Sequence, residues 1–530
     1  MINSNKNELQ DDLARIKRSP QGMSSWQNAQ LSLRAGRHAA ALAGYRDLVQ
    51  HFPGITQLWL ELGSAAAGDL DFTLADQAFQ RAMELSPNDA VLLNSIGTQY
   101  YHMRRLEQAT ACFKRAVAAD PSSFDARMTL ASWLERNHRL DEAWEYAETC
   151  LAQRPKDGRI LYFKAYLSQC KGLNKEAEAA LRNLLTSDPS LSLDVRFNAH
   201  HLLGVVLDAL GQYTEALSQF GKAKTVRRQM ADTAALERAY DKMNGERREV
   251  LAALTPEMLR RWRDESAATP CPHPLAFLGG APRSGTTLIE QILGSHPEIL
   301  VFDELDSFRK EMLSALSSSP PARKLTAETL DNGLAATGRA QLTGRYFKSL
   351  LRETGGNPGD RLLLDKNPAT MPWLHIWLRF FPQSKLIIAL RDPRDIVISS
   401  YIQNLPFLTL ASVNFFSLER TAGYYSDCMD AWLRLRELGG FEWLETRYED
   451  VVGNLEGEGR RITEFLGLPW HESQATYYET ARRKYLDAPT YNDVTKPIYT
   501  RAVGRWEHYA EALAPLQETL AKYRRTFGYG

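Results

Sequence analysis

The chain runs to 530 residues, with 64 lysines and arginines set against 64 aspartates and glutamates. That length exceeds one compact core and implies about three or four domain-sized units, while the zero net charge excludes a global field that would draw in nucleic acid or an anionic membrane. A hydrophobic fraction of 44% with 24% charged residues excludes wholesale disorder.

The five cysteines, Cys112, Cys150, Cys170, Cys271 and Cys428, are scattered, with no Cys-x-x-Cys pair and no paired histidine spacing of a zinc site. Neither a disulfide framework nor a metal site is expected. The opening segment, 1–23, is polar and lacks the apolar stretch of a signal peptide. No apolar run approaches the ~20 residues that span a bilayer. A cytoplasmic location is the expectation.

From residue 24 the chain repeats. Pro53, Pro87, Pro121, Pro155 and Pro189 recur every 34 residues, each preceded by one pattern. Ala75, Phe79, Ala82 and Pro87 return as Ala109, Phe113, Ala116 and Pro121, and looser copies read Ala41-Tyr45-Leu48, Ala143-Ala147-Cys150 and Ala177-Leu181-Leu184. A second shared position is Leu62-Gly63, Ile96-Gly97, Leu130-Ala131 and Leu203-Gly204. Small residues at every turn let antiparallel helices approach, an aromatic fills the groove between hairpins, and proline stops the second helix. The pattern resembles the tetratricopeptide repeat, over residues 24–225. That resemblance implies an α-helical superhelix whose concave face takes a protein or peptide. The last copy, Ala216-Phe220-Ala223, has no closing proline. The interval Pro189–Gly204 is five residues longer than Pro87–Gly97, which predicts a longer turn or an extended helix. Residues 226–270 read as a helical linker.

Beyond Pro270 short apolar runs punctuate the chain: PLAFLGGA, EILVFDE, RLLLDK, SKLIIALRD and FEWLETRYE. Helical segments between them predict an α/β unit with a largely parallel sheet over 271–530. The first run ends in Gly280-Ala281-Pro282-Arg283-Ser284-Gly285-Thr286-Thr287 and then a helical segment. Strand, glycine turn and helix start together make an anion cradle. Gly280, Gly285 and Thr287 fit the P-loop spacing, but Thr286 stands at the lysine position and Arg283 is the only cation. The arrangement for γ-phosphate transfer is therefore missing, which disfavours an unusual kinase.

AFLGGAPRSGTTLIEQILGSHPEI resembles the 5′-phosphosulfate loop of sulfotransferases, above all the protein-tyrosine sulfotransferase group and its carbohydrate and bacterial relatives. These enzymes take the sulfuryl group from 3′-phosphoadenosine 5′-phosphosulfate (PAPS). The resemblance implies an α/β, P-loop-like domain that binds PAPS through Arg283, Ser284, Gly285, Thr286 and Thr287, without metal. After the fourth run, Arg391-Asp392-Pro393 leads to Ser399, matching the family's 3′-phosphate motif; an arginine beside a helix-start hydroxyl also suits a phosphate dianion.

Sulfuryl transfer needs a base for the acceptor hydroxyl and cations for the leaving oxygen. Glu304, 21 residues after Arg283, lies where tyrosine sulfotransferases carry their base; Asp303 and Asp306 are neighbours that only the motif register separates from it. Lys366 lies where the family stabilises the bridging oxygen, and Arg283 would share that role. Arg505, ahead of Trp506, matches a phosphate-binding cation. Tyr448 matches an adenosine-contacting tyrosine and Thr490 a PAPS-contacting serine. Two positions depart from animal tyrosine sulfotransferases: Gln403 replaces a basic residue, and Leu305-Asp306 replaces Thr-Arg after the base. The expectation is thus a PAPS-dependent sulfotransferase acting on a tyrosine or carbohydrate hydroxyl, its repeats binding a protein or peptide partner. The alternative is a repeat scaffold with an inactive nucleotide-binding domain.

Overall fold

The computed structural model describes residues 14–69, 71–267, 271–317, 325–332, 336–352, 357–404, 410–483, 498 and 502–530. It divides into two compact units, Met1–Leu210 and Gly211–Gly530.

The first unit is a series of helical hairpins. Thr56–Gly68 pairs with Phe72–Leu85, Ala90–His102 with Leu106–Ala119, Phe124–Arg136 with Leu140–Gln153, and Gly158–Cys170 with Asn174–Ser187. The second helices end at Leu85, Ala119, Gln153 and Ser187, each two residues before the periodic proline, which cannot continue a helix. Side chains of Asp89, Ser123, Asp157 and Ser192 cap the following helix starts. The repeated small residue has a steric reason: a Cβ at Gly63 would come within 2.4 Å of the Phe79 ring, and one at Gly97 within 2.6 Å of Phe113. Each aromatic then touches the next hairpin, Phe79 edge-on to Tyr100 at 5.4 Å and Phe113 against Trp133 at 5.6 Å. The extra residues after Pro189 lengthen the helix, because Leu193–Ala209 has 17 residues where Ala90–His102 has 13.

The second unit begins inside the last repeat copy. Helix Tyr213–Arg228 belongs to it: Tyr213 stacks on His508 at 4.1 Å and Lys224 Nζ donates to the Gln403 carbonyl at 2.8 Å. The helices Thr233–Ala252 and Pro256–Ala267 pack into this unit as well. Arg247 donates to the Pro372 carbonyl at 2.7 Å, Asn244 to Asp427 at 2.7 Å, and Trp262 to Asp331 at 2.8 Å.

The five apolar runs form strands β1 (Leu275–Gly280), β2 (Ile299–Asp303), β3 (Leu362–Lys366), β4 (Lys385–Leu390) and β5 (Trp443–Arg447). All four pairings are parallel, in the order β2-β3-β1-β4-β5. β1 is buried on both faces, Phe277 towards Trp377 at 4.8 Å and Ala276 and Leu278 towards Ile289 and Leu293. Such two-sided burial is what a near-continuous apolar strand implies. The chain reverses its direction of strand addition between β1 and β4, the topological switch point where open parallel sheets bind ligands at their carboxyl ends.

Candidate active site

Each motif residue follows a different strand, so the parallel topology gathers them at one edge. Arg283 follows β1, Glu304 follows β2, Lys366 ends β3, Arg391 follows β4 and Tyr448 follows β5.

The loop after β1 turns at Gly285, whose φ of 93° ends it and starts the helix Thr286–Leu293 with no side-chain cap. A Cβ at Gly285 would lie 2.5 Å from the Tyr448 ring, so only glycine admits that tyrosine beneath the loop. The first amides of such a helix have no intrahelical acceptor and point at whatever binds there. Ser284 Oγ is buried without a hydrogen-bond partner. Arg283 has φ 73°, and its Nε donates to Ser399 Oγ at 3.1 Å, so the loop cation and the hydroxyl of the predicted 3′ motif are already in contact.

Arg391 is buried under the same loop. It donates to the Arg283 carbonyl at 3.1 Å and to the Ala502 carbonyl, lies 4.8 Å over the Tyr448 ring, and sits 3.6 Å from Asp395. Its Nε is a further buried donor without a partner. Two such orphaned groups, on Ser284 and Arg391, beside an uncapped helix start are what a bound phosphate would satisfy. PAPS therefore fits the residues present.

The segment 502–509 is tied to the same place. Asp395 accepts from the amides of Gly504 at 2.9 Å and Trp506 at 2.8 Å. Burial holds its carboxyl above the usual aspartate range against the pull of Arg391 and these amides. Arg394 stacks on the Trp506 ring at 3.7 Å, so that tryptophan covers the 3′ motif and is only half buried. Arg505 opens the turn Arg505–Tyr509. Thr490 lies outside the described residues.

At the other half of the edge, Lys366 is enclosed by acid. Its side chain is 0% exposed, and its Nζ contacts Glu304 at 2.9 Å, Asp303, and Glu290 at 3.5 Å. Burial opposes its charge, but the carboxylates of Glu304, Glu290 and Asp303 outweigh that and hold Lys366 above the ordinary lysine range. Glu304 has φ 52°, a strained backbone for any residue but glycine. Its amide donates to the Lys366 carbonyl at 2.8 Å, and Asn367 donates to the Leu305 carbonyl at 3.0 Å, which pins the β2 and β3 ends together. Within the acidic trio, Asp306 pairs with Arg309, Asp303 turns inward to Lys366, and Glu304 keeps 53% of its side chain exposed. Among the described residues no group of three or more metal-ligating side chains has the geometry to hold an ion.

Three participants escaped the sequence reading. Glu290 is the one acid in TTLIEQIL, a helix whose Leu and Ile residues are the available signal that it is buried. Asp395 stands four residues after Arg391, a helical ion-pair spacing. Arg394 closes the stretch Arg391-Asp392-Pro393-Arg394, where its spacing alone does not set it apart from an ordinary helix-start cation.

Comparison with known proteins finds family matches on both parts of the chain. The model described as "Sulfotransferase family" matches residues 274–472, and the tetratricopeptide repeat model matches residues 27–90 and 95–167. The chain thus carries a sulfotransferase-family segment preceded by tetratricopeptide repeats. Its sulfotransferase domain is similar to protein-tyrosine sulfotransferase A of Caenorhabditis elegans, 27% identical over 271 residues that cover 48% of this chain and 67% of that protein. Protein-tyrosine sulfotransferase 1 of Danio rerio is 26% identical over 254 residues, 44% of this chain and 65% of that protein. An uncharacterized protein of Aquifex aeolicus (strain VF5) is 25% identical over 422 residues, 78% of this chain and 52% of that protein. The chain thus spans about half to two thirds of the length of these relatives. Among the described residues, no helix is long and apolar enough to cross a membrane.

Proposed function

We propose that the second unit transfers a sulfuryl group from PAPS to a hydroxyl acceptor. The observation that carries this is the placement of Arg283, Glu304, Lys366 and Arg391 at the carboxyl ends of the strands of one parallel sheet, beside an uncapped helix start. Arg391 and Ser399 would hold the 3′-phosphate, and the loop Arg283–Thr287 the 5′-phosphosulfate. Glu304, the most exposed of the acids, would take the acceptor proton. As the new O–S bond forms, the S–O bond to the phosphate breaks, and its electron pair leaves on 3′-phosphoadenosine 5′-phosphate. Lys366 and Arg283 would stabilise that charge.

The acceptor is a hydroxyl of tyrosine or of a carbohydrate. Leu305-Asp306 stands where animal tyrosine sulfotransferases have Thr-Arg, so the cation that would favour an acidic peptide is missing beside the base, and Asp306 is itself paired with Arg309. The repeats would recruit the protein or peptide that carries the acceptor, raising its local concentration without altering the chemical step. Incubating the protein and a cell lysate with ³⁵S-PAPS, and in parallel with γ-labelled ATP, tests the reading. Label is expected in a hydroxyl ester from PAPS alone. Transfer from ATP, or from neither, would overturn it.

A further inference from the structure

Resting on that sulfuryl-transfer reading, we propose that Glu290 is a positioning residue for Lys366: its carboxylate keeps the ammonium charged and seated while Glu304 takes up the acceptor proton. The groups facing Lys366 come from two elements. Helix Thr286–Leu293 supplies Glu290 at 3.5 Å; the end of β2 supplies Asp303 and, at 2.9 Å, Glu304. On the lysine's own strand, Asp365 turns the other way and accepts from Tyr346 at 2.7 Å.

Before transfer, three carboxylates surround one ammonium. When the acceptor O–H bond breaks and its proton settles on Glu304, that carboxyl becomes neutral and its hold on Lys366 is lost. Negative charge is meanwhile growing on the leaving oxygen, where the ammonium is needed. A fully enclosed lysine left without a counter-charge sheds its proton. Glu290 and Asp303 take no part in that proton transfer, and they differ in setting. Asp303 is 22% exposed and screened by water, whereas Glu290 is 2% exposed, so its field reaches Lys366 undiminished. Glu290 also rises from the helix that begins at the phosphate loop, so it fixes the lysine relative to that loop. A carboxylate buried among Leu288, Ile289, Ile292 and Leu293 needs such a partner.

The test uses the full chain with lysine ¹³C-labelled at Cε, whose shift follows protonation; Lys366→Met assigns the signal. In the unmodified protein Lys366 is expected to stay charged above the ordinary lysine range. In Glu290→Gln its titration midpoint should fall by at least about one pH unit, and in Glu290→Asp by a smaller amount. With PAPS, Glu290→Gln should lower kcat about tenfold or more, steepening as pH rises, with the PAPS KM within about twofold. An unmoved Lys366 titration in either folded variant overturns the proposal; should Glu290→Gln fail to fold, Glu290→Asp decides. The titration needs no turnover, so an inactive parent protein would break the sulfuryl-transfer reading and leave this result standing.

Discussion

In the repeat unit, ion pairs such as Arg81–Glu84, 46% and 50% exposed, and Arg139–Glu142, 41% and 46% exposed, sit in water. In the α/β unit Lys366 and Glu290 are 0% and 2% exposed, and Asp395 is enclosed at the switch point. Backbone strain divides the same way. Arg104 and His138 adopt positive φ at the 34-residue turn position that Gly36 and Gly172 occupy in other copies, whereas Arg283 and Glu304 adopt it once each, at the strand ends. The first unit is held by apolar register and tolerates its charges. The second encloses charge and strain where a ligand would act on them, an arrangement that is costly unless it serves chemistry.

The contrast can be broken at several points. Glu304→Gln should lower turnover by roughly a hundredfold or more with PAPS affinity kept, as loss of a general base does; if Asp303→Asn gave that pattern instead in steady-state kinetics, the register would be off by one. Asp365→Asn sharpens the buried-charge side. Burial lifts the Asp365 carboxyl to about 7 against the Tyr346 hydrogen bond and Lys366. The folded state therefore binds more protons than the unfolded one between about pH 4 and 7, and stability falls as pH rises through that window. Denaturant titrations should show the Asp365→Asn substitution flattening this slope, a difference on the order of 4 kcal/mol by pH 8.

Gly63→Ala pushes a methyl group into the Phe79 ring and should cost the repeat unit about 1–3 kcal/mol, seen as an earlier thermal transition with donor-product affinity unchanged. The smallest effect is a gain. Arg104→Gly relieves a left-handed backbone at a turn and should raise repeat stability by about 1 kcal/mol, whereas Glu304→Gly, which removes the proposed base along with the strain, should abolish turnover.

The repeats were legible because period, small residue, aromatic and proline each answer to one steric requirement, as Gly63 on Phe79 shows. The five strands were legible as apolar runs, and their common edge followed from parallel pairing. What the sequence hid were the interactions between distant segments. Nothing in TTLIEQIL says that Glu290 meets a lysine 76 residues later, because that depends on β3 lying between β1 and β2. Nor did the pattern indicate that Tyr213–Arg228, a repeat helix by sequence, would pack within the second unit; its Ala216-Phe220-Ala223 spacing serves either neighbour.

The central claim, that the edge between β1 and β4 is built for a 3′-phosphorylated nucleotide, is tested most directly by calorimetry on the full chain and Arg391→Ala. 3′-Phosphoadenosine 5′-phosphate should bind the unmodified protein at least about a hundredfold more tightly than adenosine 5′-phosphate, and the Arg391→Ala change should remove most of that preference. Equal affinity for the two nucleotides in the unmodified protein, or an equal loss for both in the variant, would contradict the account.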